Sequence, residues 1–171
     1  MADPPAKTST DLMWCTEVAS MLRFCAGRGL DPGAGGRTVS PDVVCHDIAA
    51  DGVSAMALPY QDGEFDYVFT CHLIEHMQDT SATIREWLRV VRSGGHVIMI
   101  VPNTLYTKGQ NTDATPHYHE WAPREFIEEI CGEPCLKPWI DAIGMSVGGA
   151  TIVHAGDAMP RWSFGVVLRK D

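Results

Sequence analysis

Positive charge is scarce in this 171-residue chain: 13 lysines and arginines stand against 22 aspartates and glutamates, a formal charge of −9. A nucleic-acid backbone needs a basic face, so nucleic acid is not expected as a partner. Long apolar runs are missing too. None approaches the ~20 residues that cross a bilayer, and the opening Met1-Ala-Asp-Pro-Pro-Ala-Lys7 has no apolar signal core. No membrane association is expected. A phosphate loop of the form G-x-x-x-x-G-K-S/T is absent, as is a complete G-x-G-x-x-G dinucleotide fingerprint. The six cysteines (15, 25, 45, 71, 131, 135) lack the spacing of a disulfide framework, so they read as buried thiols of a reducing cytoplasm. Cys131 and Cys135 are spaced C-x3-C but have no second ligand pair, and no metal is expected.

What is present suits a soluble, globular, cytoplasmic protein: 45% of residues are apolar and 20% charged. The length fits one domain over 1–171. Residues 1–10 read as a disordered end. Leu12, Val18, Met21, Leu22 and Cys25 recur at helical spacing, predicting a cap helix over 11–27 with Asp11 as N-cap and Gly27 as stop.

The stretch Gly29 to Asp47 organises the rest. It reads as a short buried strand, a glycine-rich turn, a second strand at Val43–Cys45, and an acid at that strand's carboxyl end. In open α/β sheets ligands sit outside the carboxyl ends of the strands. Gly33, Gly35 and Gly36 let the backbone approach a ligand closely, and an ionised Asp47 can accept from two vicinal ribose hydroxyls. Pro41 leaves no room for a full helix before the second strand, so no helix N-terminus is available to hold a pyrophosphate. A nucleoside without phosphates fits better than NAD or ATP. A bare surface turn is the alternative for this motif alone.

Downstream, one short strand is expected before Pro59, then a turn at Asp62-Gly63. Phe65–Cys71 is a strand apolar enough to be buried on both faces, and His72 to Met77 runs into a short helix. Ile84, Trp87, Leu88 and Val91 form a helical stripe over about 81–92, with Arg85, Glu86, Arg89 and Arg92 opposite. Asp79, Thr80 or Ser81 caps it and Gly94 ends it. A second apolar strand, His96 to Val101, stops at Pro102. The polar, aperiodic stretch 104–118 has the length of a functional loop. Pro123 starts a helix that buries Phe126, Ile127 and Ile130 and stops at Gly132. A short helix over 136–143 and two antiparallel strands, near 147–154 and 163–169, complete the chain.

Taken together, these segments resemble the class I S-adenosylmethionine-dependent methyltransferases, in particular the small type-11-like group. The resemblance runs from Arg28 to Lys170. It rests on Leu30-Asp-Pro-Gly-Ala-Gly-Gly36, Asp47, Leu58-Pro-Tyr-Gln-Asp-Gly-Glu-Phe-Asp-Tyr-Val68, His72-Leu-Ile-Glu-His76 and Arg85-Glu-Trp-Leu-Arg-Val-Val-Arg-Ser-Gly-Gly95. It implies an α/β, Rossmann-like, doubly wound seven-stranded sheet. That sheet is mostly parallel, closes on a C-terminal antiparallel hairpin, and has the family order 3-2-1-4-5-7-6. The implied cofactor is S-adenosylmethionine, with S-adenosylhomocysteine as product.

Residue by residue, the family places Gly33, Ala34 and Gly35 against the methionine part, with Asp31 near its ammonium. Asp47, with Ile48 beside it, would hold the ribose. Met56, Ala57 and Leu58 would flank the adenine, and Cys71 and His72 would face both cofactor and acceptor. Three positions depart from the pattern: Ser54 stands where an Asp commonly meets the adenine amino group, which leaves Ser54 or Asp51 to do so. Pro32 replaces an apolar residue, and Ser93 replaces a Pro. The family's first helix is nearly deleted.

The implied activity is methyl transfer to a small-molecule acceptor through oxygen, nitrogen or carbon, by a monomer or homodimer. The alternative is an inactive methyltransferase-like protein that binds the cofactor or a protein partner. If the acceptor needs a base, His117 or His119 is in place to take its proton. Equally, the two histidines can hydrogen-bond the backbone and fix the loop. Glu75 and His76 lie at a helix start, where capping and packing explain them as well as substrate contact does.

Overall fold

The computed structural model describes residues 16–107 and 117–171. Seven strands form one sheet: β1 (Gly29–Asp31), β2 (Val44–Cys45), β3 (Phe65–Cys71), β4 (Val91–Pro102), β5 (Ser146–Val147), β6 (Ala150–Met159) and β7 (Ser163–Lys170). Their order is β2-β1-β3-β4-β7-β6-β5. The β2-β1-β3-β4 half is parallel and the β4-β7-β6-β5 half antiparallel. Among the described residues, two helices of more than one turn pack on it, α1 (Thr80–Val90) and α2 (Pro123–Cys131).

The central strands are apolar at consecutive positions because both of their faces are covered. Val97, Met99 and Val101 of β4 join Val68 of β3 in one core with Trp87 of α1 and Phe126 of α2. The alternating residues Ile98 and Ile100 join Tyr67 and Phe69 in a second core, closed by Val18 and Met21. Met21 seats where β7 has no side chain: a Cβ on Gly165 would fall 2.3 Å from Met21 Cε.

The sheet, the Phe65–Cys71 strand and both longer helices follow the sequence reading. Asp79 caps α1, its Oδ1 accepting from the Ala82 amide at 2.8 Å. Gly132 (φ 69°) ends α2. Residues 32–43 contain turns and no helix, as Pro41 requires.

Several finer expectations are corrected. No strand forms before Pro59: the Met56 amide donates to Ser54 Oγ and the Ala57 amide to the Ser54 carbonyl, which curls the segment into a turn. The seventh strand is instead β5, at the opposite edge, so the family order 3-2-1-4-5-7-6 is kept only from β2 inward. The later β segment begins at Ala150 and extends to Met159 rather than covering 147–154. Gly94 does not end α1. Val91 is already extended (φ −84°, ψ 138°) and pairs with Phe65, because a β-branched residue gains more from the sheet. The predicted helix over 136–143 shrinks to a 3-10 turn at Trp139–Asp141, since Pro138 lacks the amide that an α-turn would use.

Residues 16–19 are helical and Leu22–Phe24 form a 3-10 turn. Asp11, Leu12 and the expected disordered end lie outside the described residues. Cys45 is exposed rather than buried. It and the other described cysteines (25, 71, 131, 135) are free thiols, and Cys15 lies outside the described residues. Among the described residues, no helix is long and apolar enough to cross a membrane.

Candidate functional site

Three parallel strands end close together, and their carboxyl ends border a pocket of about 560 Å3. Pro32 and Gly33, just beyond β1, form one wall, facing Leu73 beyond β3. This contact requires glycine: a Cβ on Gly33 would stand 2.6 Å from the Leu73 methyls. Asp31 lies behind this wall at 3% exposure, its Oδ1 accepting from the Gly33 amide at 3.1 Å. Burial raises its carboxyl to about 7, against the opposing pull of the Gly33 hydrogen bond.

Asp47 follows β2. One carboxylate oxygen accepts from the Ala49 amide at 2.8 Å and caps the single helical turn Ile48–Asp51. The residue is half-buried and lines both the 560 Å3 pocket and a second hollow of about 330 Å3. The residue therefore borders two concave surfaces at once. Ile48 (67% exposed) and Met56 (38%) present unpaired apolar surface on the first pocket, beside Ser54.

Asp51 is engaged elsewhere. It accepts from the Val53 amide at 2.9 Å and pairs with His46 Nδ1 at 2.7 Å, and His46 in turn meets Tyr60 through its Nε2. Together those contacts lower the Asp51 carboxyl. This leaves Ser54, not Asp51, on the wall where the sequence reading sought a polar partner.

The Ser54–Asp62 segment has no strand to hold it, and α1 does so instead. Trp87 Nε1 donates to the Ala55 carbonyl at 3.0 Å, and the Leu58 amide donates to Glu86 Oε1 at 2.7 Å. Arg89 donates to the carbonyls of Tyr60 and Leu58, to Asp62 and to Glu86. Glu86 and Arg89 had been assigned to the face opposite the apolar stripe; they are clamps on the pocket loop. Leu58 is 5% exposed, part of the core rather than the pocket surface.

Of the twelve residues the resemblance assigns to the cofactor, Gly33, Asp47, Ile48, Ser54 and Met56 share this pocket. Ala34 lines the neighbouring hollow with Gly36. Gly35 and Ala57 border neither, and Gly35 adopts φ 53° in the turn. Cys71 and His72 line neither hollow. His72, at φ 55°, meets Glu17 through Nε2 at 3.1 Å, and burial keeps the Cys71 thiol well above its ordinary range and so protonated.

Neither His117 nor His119 lines the pocket, while Tyr118 between them does. His119 stacks on Trp121 with centroids 4.7 Å apart, and the His117 ring meets His76 edge-on at 4.6 Å. Residues 108–116 of the expected functional loop lie outside the described residues. The sequence reading missed Leu73, Met77 and Gln78 and left His76 between packing and substrate contact; all four are on the pocket wall. Gln78 Nε2 donates to the Tyr118 hydroxyl at 3.1 Å and so ties the wall to the His-bearing segment. Their signal is the short helical stretch that follows His72 in the sequence.

Residues 29–99 match the model of the methyltransferase domain family. The chain is 43% identical over 53 residues to ajmaline N-methyltransferase of Rauvolfia serpentina, an alignment covering 31% of this chain and 18% of that enzyme. It thus spans under a fifth of the length of the curated relatives first matched. Its fold is similar to that of a SAM-dependent methyltransferase from Aquifex aeolicus (TM-score 0.60, 12% identity, 90% of this chain and 91% of that one). It is similar also to that of the 4+2 cyclase SpnF (TM-score 0.61, 16% identity, 99% and 84%).

Proposed function

We propose, for a chain that belongs to the class I S-adenosylmethionine-dependent methyltransferase family by its residues 29–99 and its sheet, that the 560 Å3 pocket binds S-adenosylmethionine and that the protein methylates a small molecule. When bound, that cofactor supplies an electrophilic methyl group on a sulfonium. The residues present fit it. Asp47 offers a carboxylate to two hydroxyls, and Asp31 offers a buried acid to an ammonium, directly or through water. Ile48 and Met56 give apolar cover to a base, Ser54 gives it a hydroxyl, and Gly33 keeps the wall thin. The observation that carries the reading is Asp47, half-buried at the carboxyl end of β2 on the rim of the pocket.

The protein's own contribution to catalysis is positioning. Holding two reactants in line can lower a barrier by on the order of 7–11 kcal/mol. Leu73, Met77 and Tyr118 line the pocket together with Asp47 and add apolar surface to its wall. His117 and His119 flank Tyr118 in the chain, and a base from this segment would serve an acceptor that must lose a proton. We take residues 1–171 as one domain acting without nucleic acid or membrane, as monomer or homodimer. The free thiols support a place in the cytoplasm.

A second, non-catalytic reading is favoured by the missing strand before Pro59, which leaves the base-side wall hung from α1 alone. Calorimetric titration with S-adenosylmethionine and S-adenosylhomocysteine tests the site. Micromolar binding is expected, weakened more than about tenfold in Asp47→Ala, the loss of one or two charge-assisted hydrogen bonds. Equal affinity in both proteins removes Asp47 from the site. Release of S-adenosylhomocysteine with an acceptor then separates enzyme from binder.

A further inference from the structure

We propose that Glu75, His76 and His117 form a divalent transition-metal site at the edge of this pocket. One ligand atom from each, a carboxylate oxygen and two imidazole nitrogens, lies within 4.8 Å of the others. Glu75 is 1% exposed, and neither of its carboxylate oxygens accepts a hydrogen bond from a described residue. A carboxylate so placed has lost its water without gaining a donor, a state that a cation relieves. Its neighbours are imidazoles. His76 Nε2 stands 3.9 Å from Glu75 Oε1, and the rings of His76 and His117 meet edge-on.

The backbone holds the three together. The amides of Tyr118 and His119 donate to the Glu75 carbonyl at 2.9 and 3.2 Å, which pins the His117 segment to the turn after β3. By local spacing, the chain offers ligand types in this segment only as His117-x-His119-Glu120. The ligand set here instead joins residues some forty positions apart, which no local spacing reveals.

One carboxylate and two imidazoles make a three-ligand zinc site, which keeps a fourth position for water or substrate. Nitrogen ligands favour zinc and its neighbours over magnesium, which takes oxygen. Ligand atoms at ~2.0–2.1 Å from a shared ion stand roughly 3.3 Å from each other, so side-chain rotations of about an ångström complete the geometry. His76 also lines the 560 Å3 pocket, which puts the open coordination position beside the cofactor and acceptor volume. A hydroxyl bound there would lose its proton more readily.

A second cluster, Glu17, Cys71 and His72, also lies within 4.8 Å. There the carboxylate already meets His72 at 3.1 Å and the thiol is held protonated, so it serves as the control.

The test is titration of the metal-stripped full chain with Zn2+ by calorimetry and with Co2+ by ligand-field absorption, without S-adenosylmethionine. Its outcome is therefore independent of the methyl-transfer reading. One equivalent is expected, with a tetrahedral cobalt spectrum free of thiolate charge transfer. Affinity should fall at least about 100-fold in His117→Ala and in Glu75→Gln, beyond what loss of an outer partner usually costs, and stay unchanged in His72→Ala. His117 is partly exposed, so its variant should match the metal-free wild type in melting temperature and decides the matter even if Glu75→Gln unfolds. Retained binding in His117→Ala, loss in His72→Ala, a thiolate band or no binding at all each overturns the proposal.

Discussion

Asp31 shows how a single residue can set conditions for binding. Burial holds its carboxyl near 7, with the Gly33 amide as its visible relief. A ligand bearing an ammonium favours the ionised form, so binding must expel a proton when the free protein holds one. Cofactor affinity is therefore expected to strengthen between about pH 6 and pH 8, with proton release visible as a dependence of the calorimetric heat on the buffer. An affinity flat across that range takes Asp31 out of the site. The same shift acts on stability. The folded pKa lies above the unfolded value of about 3.9, so the native state binds more protons between roughly pH 4 and 7, and stability falls as pH rises through that window. Asp31→Asn keeps an acceptor for Gly33 and removes the charge. It should flatten this fall, read as urea midpoints at about pH 5 and pH 8, while weakening cofactor binding.

At the scale of elements, the notable feature is a helix doing the work of a strand. Trp87, Glu86 and Arg89 of α1 reach across to Ala55, Leu58, Tyr60 and Asp62 and hold the base-side wall. Arg89 is the centre of this clamp, since its planar fork serves two carbonyls and two carboxylates at once. Arg89→Ala is expected to cost about 1–3 kcal/mol of stability and to weaken cofactor binding roughly tenfold, with Arg89→Lys recovering little of either. Denaturant titration and calorimetry measure the two. Unchanged affinity would mean that the loop shapes itself. This clamp was illegible in the sequence because Glu86 and Arg89 fall on the polar face of α1, and helical periodicity says which residues avoid water, not what the others grasp.

For the whole molecule, the sheet divides the interior in two, and β4 feeds both halves from consecutive residues. Ile98→Ala and Met99→Ala should each cost about 2–5 kcal/mol in urea unfolding, because each opens a cavity in a different core. A sheet with one wet face would be hurt by only one of them. The Ile98 core is closed by the N-terminal residues Val18 and Met21, so the thin cap predicted from Asp11 onward supports the sheet rather than the pocket.

Local chemistry settled much of this protein in advance. Two apolar runs became central parallel strands because their residues tolerate burial on both faces, and Pro41 ruled out a helix after the first glycine turn. Asp47 was placed by the strand before it, and α1 and α2 by their caps and stripes. What the chain order could not decide were encounters between distant segments. These include Leu73 against the bare Cα of Gly33, α1 replacing an absent strand, β5 taking the far edge, and Glu75 and His76 brought to His117. Such contacts depend on how loops close over the sheet, and the residues involved carry no periodic signal. Fold therefore followed from pattern, whereas the make-up of the pocket followed from packing.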